Sequence, residues 1–427
     1  MTHDAKYFLD QHEFAKRYYQ TANARALEVE RLFKSEFDVP SDTRDRRTPS
    51  GPRITRPARG RAILEKFLTL LSVRAQQKIT VIPRDNTVEE LQTTSRIERW
   101  CHGYQRAYYF ETKQNPWRRF VYWYLLRGRA CMETRFDPAY IGSDCLPLRT
   151  VADDPLSIYS IWGRNGIGWY TKEYTRYTWD IQKEINARRG TRAKNKWRKI
   201  KLPEDPNELV TVVEYWNDDA CAGLVNEQLL YESPHKYGFA PLAEAHCMDT
   251  PLEDPEWAYQ SVLGPIMDSL KGMYILANKL AAGVDLFYWP MILVRSPNGN
   301  AVILNSGAPG VETQIPIDAK VDILNPQPNQ AIIAQLMAWY QSDVQLGGIP
   351  DIAWGTEPSS LESGFAIAQV LAQVLDKIKD KSTNLEMALG WDWGHKLSLI
   401  ETYGEATGTY LQVPMEVVDD AKDVRQY

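Results

Sequence analysis

The spacing of apolar residues changes along the chain and divides it into helical and extended regions. In the first third of the chain it predicts one short strand, at 78–82, and four helices, at 12–37, 62–77, 87–111 and 117–126. Alternating, β-branched and aromatic positions then predict strands at 130–136, 158–162, 166–173, 209–216 and 224–231. Helices and strands lie in separate stretches, and this indicates an α+β fold.

Helical spacing returns further along the chain and is interrupted by one extended segment. Residues 257–287 predict a helix, for which Gly264-Pro265 is either a kink or the true start. Six prolines then exclude helix over 290–328. Within that segment two short apolar runs flank Asn298-Gly299, a strong hairpin signal, and a third strand is predicted at 320–324. Two more helices are predicted after it, at 329–346 and 362–403.

The helix predicted at 329–346 is almost free of charge. It has one Asp, Asp343, and no Glu, Lys, Arg or His. Its polar positions are filled by amides instead, namely Gln330, Gln335, Gln341 and Gln345. A solvent-facing helix ordinarily carries charged residues on its polar side. This helix therefore suits a surface that must pass something charged without binding it tightly.

Composition and charge narrow the class of protein. The chain has 427 residues, 25% of them charged and 44% hydrophobic, and a formal net charge of -5, which is ordinary for a globular protein of two or three folding units. Its first residues lack a signal-peptide pattern, and no run of about 18 uncharged apolar residues occurs. The five cysteines are scattered without CxxC spacing, so we expect reduced, buried thiols in a chain folded in a cytosol. We expect it to be neither secreted nor membrane-spanning.

The sequence contains none of the catalytic or cofactor-binding motifs that we considered. GxSxG, HExxH and GxxxxGK[ST] patterns are absent, and the glycine-rich run at 163–168 lies between predicted strands, so we interpret it as a hairpin turn. The six histidines have no metal-ligand spacing. We therefore expect no catalytic residues, no metal and no cofactor. The 14 tryptophans keep one alternative open, an aromatic-rich carbohydrate-active enzyme with two carboxyl groups flanking a sugar.

Basic residues cluster in two segments. One is the insertion at 188–201, and the other is a loop that contains Arg44, Arg46, Arg47, Arg53, Arg56, Arg59 and Arg61. Such clusters bind nucleic acid by neutralising phosphates, or they lie on a solvated surface. A basic nucleic-acid-binding module therefore stays open as a further alternative.

The order of elements resembles the portal proteins of tailed bacteriophages. Residues 126–130 (Leu-Arg-Gly-Arg-Ala), which lead into a strand, are similar to that family's wing domain, as are the later β segments at 214–218 and 237–241. A helix, a β-rich clip, a second helix, a loop containing Ile349-Pro350-Asp351 and a long helix that opens at 363–366 (Ser-Gly-Phe-Ala) follow in the family's order.

The resemblance implies a multi-domain portal subunit with an α/β wing, a helical stem and a small clip. The implied segments are the wing (1–253, with basic loops 40–61 and 188–201), the first stem helix (254–287), the clip (288–328), the second stem helix (329–346), the tunnel loop (347–361), a long kinked helix that returns to the wing (362–403) and a short tail or minimal crown (404–427).

The function implied is that of a ring at one capsid vertex. About twelve copies of the chain surround a channel through which double-stranded DNA is packaged and ejected, without sequence specificity. The expected partners are the terminase, the major capsid protein and head-completion or adaptor proteins, with no membrane. The protein would assemble in the host cytoplasm and reside in the virion. The terminase would supply the energy.

Two sets of residues are implied as sites. The channel and tunnel loop would use Gln335, Gln341, Gln345, Ile349, Asp351, Ile352, Trp354 and Glu357. The clip would dock partners through Arg295, Ser296, Asn298 and Asn300. Alternatives stay open at this point: the 329–346 helix can instead be a buried core helix, Trp354 can anchor the loop on its own subunit, and the clip tip can be a plain solvent turn.

Overall fold

The computed structural model describes residues 3–34, 36, 58–75, 79–85, 87–136, 148–164, 166–189, 197–248, 259–288, 291–295, 301–305, 320–324, 330–348, 364–407, 416–419 and 423–426. The chain divides into two compact units. The first comprises Met1–Leu27, Phe67–Val262 and Lys377–Tyr427, and the second comprises Glu28–Lys66 and Leu263–Asp376. Neighbouring strands in the described sheets are antiparallel, and the chain is an α+β protein, as the sequence predicts.

The N-terminal part is helical, and its helices begin and end at capping residues. The helices are α1 (Ala5–Tyr18), α2 (Gln20–Phe33), α3 (Arg59–Ala75), α4 (Val88–Thr112) and α5 (Pro116–Arg127). The Thr87 hydroxyl accepts the backbone N–H of Glu90 and so caps the start of α4. Asn115 caps α5, Pro116 occupies its first turn, and Gly128 ends it with a φ of 78°.

The first unit contains two sheets. Its strands are β1 (Arg129–Phe136), β2 (Leu148–Asp153), β3 (Ile158–Gly163), β4 (Gly166–Tyr177), β5 (Leu209–Asn217), β6 (Ala220–Val225), β7 (Gln228–Pro234) and β8 (Leu242–His246). A 3-10 turn at Pro155–Ser157 precedes β3, and helix α6 (Thr178–Arg189) follows β4. One sheet has the order β2-β1-β8, and the other has the order β3-β4-β5-β6-β7.

Successive side chains of β5 point to opposite faces of the larger sheet. Val213 and Tyr215 join a cluster with Phe8 of α1 on one face. Val212, on the other face, joins a cluster with Ile181 of α6. That second face also meets the smaller sheet, because the guanidinium of Arg135 on β1 contacts the carboxylate of Glu214 on β5.

The opposite face of the smaller sheet meets helices. Thr134 of β1 donates a hydrogen bond of 2.6 Å to Asp392, on the last helix of the chain. Tyr104 and Tyr108 of α4 donate to the carbonyls of Leu148 and Thr150 on the edge strand β2. The first unit is therefore layered as helix, sheet, sheet, helix, and the smaller sheet is buried on both faces.

In the second unit, a three-stranded sheet follows one helix and precedes another along the chain. A 3-10 turn at Gly264–Ile266 leads into α7 (Met267–Tyr288), and the strands β9 (Met291–Arg295), β10 (Ala301–Asn305) and β11 (Lys320–Leu324) pair in the order β10-β9-β11. Helix α8 (Gln330–Gly347) follows. Helix α9 (Gly364–Thr407) begins in this unit and continues into the first. Short strands β12 (Glu416–Asp419) and β13 (Asp423–Gln426) pair near the end of the chain.

Most predicted elements are confirmed, including strands β9, β10 and β11 and the hairpin that Gly166 closes. Of the two alternatives at Gly264-Pro265, a kink or a helix start, the structure shows the start. Three predictions of secondary structure are wrong. Residues 79–82 are not in a strand, because the Val81 N–H donates to a side chain of α4, that of Glu98, at 2.8 Å. The strand predicted at 224–231 is two strands joined by a turn at Asn226 and Glu227, whose φ values are 45° and 65°. Helix α6 lies where only strands were expected.

The helix predicted at 12–37 is also wrong in its start, its continuity and its buried side. It begins at Ala5 and breaks at Tyr19, whose buried hydroxyl donates to the Ser160 carbonyl at 2.9 Å. The spacing of Phe14, Tyr18 and Ala22 predicts that they share one apolar side, but Phe14 and Tyr18 are exposed. The buried line is instead Phe8, His12, Ala15 and Tyr19. A tertiary contact and a buried histidine decide this face, and neither is visible in local spacing.

The cysteine expectation agrees with the described thiols. Cys101, Cys131 and Cys247 are buried free thiols and Cys221 is a half-buried one, whereas Cys145 lies outside the described residues. Burial raises the pKa of the Cys101 thiol to about 12, against an opposing effect of the nearby Lys396 ammonium. The pKa of Cys247 is likewise raised by burial, to about 11. These thiols are therefore protonated near neutral pH and poorly nucleophilic.

Candidate functional site

Helix α8 packs within the second unit by one side. The residues on that side recur at intervals of three or four: Ile333, Met337, Tyr340 and Val344. The ring of Tyr340 lies over Gly272 of α7, so closely that a Cβ at that glycine would be 2.5 Å from it. Asp343 accepts a hydrogen bond from the Ser269 hydroxyl of α7, which draws its carboxylate toward that helix. The single acid of α8 therefore forms a hydrogen bond within the second unit.

The remaining sides of α8 are exposed and uncharged. The exposed residues are small, apolar or amide: Ala331, Ile332, Ala334, Gln335, Leu336, Ala338, Trp339, Gln341 and Ser342. Gln345 is half-buried. Trp339 is 63% exposed and Leu336 is 37% exposed, both high values for such large apolar side chains. The exposed surface of α8 therefore presents amides and apolar groups without an ionised side chain.

The other site residues that the sequence predicted are only partly described. Arg295 on β9 pairs with Ala301 on β10 and Lys320 on β11. Arg59 and Arg61 lie in the first turn of α3, and the Arg61 Nε is 2.8 Å from Glu65 Oε1. The following lie outside the described residues: Ile349, Asp351, Ile352, Trp354, Glu357, Ser296, Asn298, Asn300, Arg44, Arg46, Arg47, Arg53 and Arg56.

Sequence reasoning missed a layer of charged residues between the two sheets of the first unit. Arg135 contacts the carboxylates of Glu133 and Glu214, and Lys172 Nζ lies 2.6 Å from Asp153 Oδ2 and 3.2 Å from Glu133 Oε2. Burial by itself raises the pKa of Glu214, but Arg135 and Lys172 outweigh it and lower that pKa to about 2. The layer is therefore ionised and mutually compensated at neutral pH.

A second charged group lies at the other end of β1. The buried carboxylate of Glu244 is 2.8 Å from Arg129 Nε and 2.8 Å from His246 Nε2, and the Ser160 hydroxyl also donates to it. Burial raises the pKa of Glu244, yet Arg129, His246 and Ser160 together lower it to about 2. The guanidinium of Arg129 also lies 4.2 Å from the centre of the Tyr19 ring. This group joins β1, β3, β8 and the residue that ends α1.

A third charged group lies between β1 and the helices of the first unit. Lys396 is fully buried, and its ammonium contacts the carboxylate of Asp392 one turn earlier in α9. The ammonium lies 4.7 Å from the ring centre of Trp393, 5.4 Å from Trp117 and 5.8 Å from Tyr104. Burial lowers the pKa of Lys396, and Asp392 opposes this. Three aromatic rings and one carboxylate thus surround a single buried cation.

These charged groups join strands and helices of the first unit. A pocket of about 180 Å³ at the start of α5 is lined by residues 114–116, Arg119 and 150–152, none of which is acidic or a histidine. Within the described ranges, no three His, Cys, Asp or Glu side chains are placed to hold a metal ion. No helix of the described part is both long and apolar enough to cross a membrane.

Comparison with known family models and with curated proteins found no match to this chain.

A faint signal of the charged layers is present in the sequence. Arg129, Glu133 and Arg135 occupy alternate positions of a strand whose intervening residues are apolar or Thr. Such alternation ordinarily marks one solvent-facing side. The smaller sheet is covered on both faces, so the same pattern buries charge here, and only the partners on β4, β5 and β8 show it.

Proposed function

We propose that this chain is the subunit of a portal-like ring of tailed bacteriophages, in which α8 and the 347–361 loop line a channel for double-stranded DNA. The observation that carries the proposal is the uncharged exposed surface of α8. The succession of α7, the three-stranded sheet, α8 and the long α9 also agrees with a stem, a clip and a second stem. The proposed partners are the terminase, the capsid protein and head-completion proteins, at one vertex of the virion.

Electrostatics explains why a channel wall of this kind is uncharged. Duplex DNA carries about one charge per 1.7 Å of its axis. In a ring of about a dozen copies, one Lys per copy would form a ring of about a dozen cations. Each charge-assisted hydrogen bond contributes about 1.5 to 3 kcal/mol, so a few of them would hold the DNA in place. Glutamine side chains bind water, and alanine side chains carry no charge, so neither holds the DNA in place.

The first test is the assembly state of the purified chain. Negative-stain images and native mass measurements are expected to show closed rings with a central hole. A compact monomer that cleaves glycans would overturn the proposal in favour of the carbohydrate-active enzyme. A monomer that binds DNA with a steep salt dependence set by the 44–61 arginines would overturn it in favour of a nucleic-acid-binding module.

The second test places charge on the wall. Gln335→Lys is expected to leave rings intact and to reduce the length of DNA packaged, because it adds a ring of cations facing the phosphates. Gln92→Lys, at an exposed position of α4 in the first unit, is the matched control and should package normally. Packaged length is measured by pulsed-field electrophoresis of protected DNA. Full-length packaging by Gln335→Lys would refute the channel assignment.

A further inference from the structure

Helix α8 presents different chemistry on each of its sides. With about 100° per residue, the packed residues Ile333, Met337, Tyr340 and Val344 fall within about 60° of one another. Leu336 and Trp339 project about 100° to one flank of that packed side. Ala334 and Ala338 project about 110° to the opposite flank. Gln335 lies between the two flanks, and it points away from α7.

The two flanks are complementary in size. Leu336 and Trp339 are large, apolar and exposed, whereas Ala334 and Ala338, also exposed, are one turn apart and leave a shallow depression between turns. Large side chains on one helix pack well into the spaces beside small ones on another. A single α8 cannot bring its own two flanks together, since they are about 150° apart around the helix axis.

The charge of α8 restricts what can cover these flanks. Exposed positions of α8 carry no Asp, Glu, Lys or Arg, so a partner with a charged surface would lose hydration and gain no counter-charge. A second α8 carries the same neutral surface and offers the small flank that Leu336 and Trp339 require. The exposed parts of two side chains are far below the roughly 800 Å² per partner of a stable two-body complex. A contact repeated around a closed ring does not depend on one such patch alone.

We propose that Leu336 and Trp339 of one copy pack against Ala334 and Ala338 of the next copy, in a head-to-tail contact that repeats around the ring. This contact rests on the ring of the proposed function, and it specifies the surface through which neighbouring copies meet. A head-to-tail contact joins two different patches of the same chain, and one helix supplies both patches here. The side of α8 that carries Gln335 then faces the channel, and the packed side faces α7 behind it.

The decisive experiment is a cross-link that forms only between copies. Ala334→Cys combined with Leu336→Cys places one thiol on each flank, and the two cannot meet within one helix. Oxidation of assembled rings should give a ladder of covalent oligomers under non-reducing denaturing conditions, which dithiothreitol removes. Each single cysteine variant and the wild-type chain, treated alike, should stay monomeric on the gel, since the native thiols among the described residues are buried or half-buried.

A second measurement removes the large flank. Trp339→Gln and Leu336→Gln are expected to raise the concentration at which half of the chain is in rings by about tenfold or more. Met387→Gln, which removes an exposed apolar side chain from the first unit, is the control and should not shift it. Far-UV circular dichroism checks that each variant is folded. The concentration is read by mass photometry.

The outcomes separate this inference from the proposed function. A ladder together with weakened rings for Trp339→Gln supports both. Rings of the double cysteine variant that give no ladder, together with rings that form equally well after Trp339→Gln, overturn the flank assignment and leave the ring standing. A wild-type chain that stays monomeric at every concentration overturns the ring, and this contact with it.

Discussion

The buried pair of Asp392 and Lys396 gives the sharpest prediction about the stability of the first unit. Asp392→Asn keeps the size of the side chain and an acceptor for Thr134, but it removes the counter-charge of an ammonium that is 0% exposed. The ordinary pKa of Lys396 is 10.5. Neutralising it in the folded chain at pH 7 therefore costs about 5 kcal/mol, at about 1.36 kcal/mol per unit of pKa. Breaking other buried pairs costs about 3 to 5 kcal/mol, which agrees.

The sign of the pH dependence follows from the same argument. In Asp392→Asn, Lys396 is neutral in the folded state and protonated in the unfolded state, so the unfolded state binds one more proton. The free energy of unfolding should then rise by about 1.4 kcal/mol per pH unit from pH 7 toward the ordinary lysine pKa. The double variant Asp392→Leu, Lys396→Met removes both charges at once. It should unfold within about 1 kcal/mol of the wild type, or be more stable.

Urea unfolding followed by tryptophan fluorescence measures these effects, since Trp117 and Trp393 contact the pair. Circular dichroism followed in parallel shows whether one transition describes the unfolding. Glu65→Gln is the control, because it breaks an exposed pair with Arg61 at the same i,i+4 spacing and should cost about 0.5 kcal/mol or less. A loss below about 1 kcal/mol for Asp392→Asn, or a double variant no more stable than the single one, would refute the reasoning.

Three further predictions test other features of the first unit. The carboxylate of Glu244 has a pKa of about 2 against an ordinary 4.5, so its ionisation contributes about 3 kcal/mol to the free energy of unfolding. That contribution is present above pH 4.5 and is lost toward pH 2. Acid unfolding of Glu244→Gln should lack this loss, whereas the control Glu401→Gln, at an exposed position, should keep it. Gly128→Ala should cost about 3 kcal/mol or more in urea unfolding, because its φ is 78° and a Cβ would lie 2.3 Å from backbone; the unhindered helical Gly390→Ala should instead gain up to about 1 kcal/mol. Glu227→Gly should raise the melting temperature slightly, because φ is 65° there and glycine removes a left-handed strain of about 1 kcal/mol.

Helix and strand positions were largely readable from the sequence where a local cause exists. Thr87 and Asn115 cap helices with their own side chains, and Gly128 ends α5 because a left-handed residue is needed there. Strands β9, β10 and β11 follow from proline, glycine and β-branched residues within a few positions of one another. The break in the first predicted helix was missed because a distant contact decides it, the hydrogen bond from Tyr19 to Ser160.

Burial was harder to predict than secondary structure. A strand with charges at alternate positions ordinarily has one face in water, yet β1 places Arg129, Glu133 and Arg135 between two sheets. The pair in α9 looks like an ordinary exposed i,i+4 ion pair until Trp117 and Trp393 are placed around it. These side chains come from segments far apart in the chain, and spacing along one element carries no information about them.

Helix α8 shows which properties follow from composition and which depend on tertiary contacts. That this helix carries one Asp and no other charged side chain follows from the sequence alone, because composition does not depend on the fold. Only the tertiary structure decided which side packs, because the contact of Tyr340 with Gly272 orients the helix about its axis. Once that side is set, the 3.6-residue period fixes the rest: Leu336 and Trp339 lie on one flank, Ala334 and Ala338 on the other, and Gln335 between them.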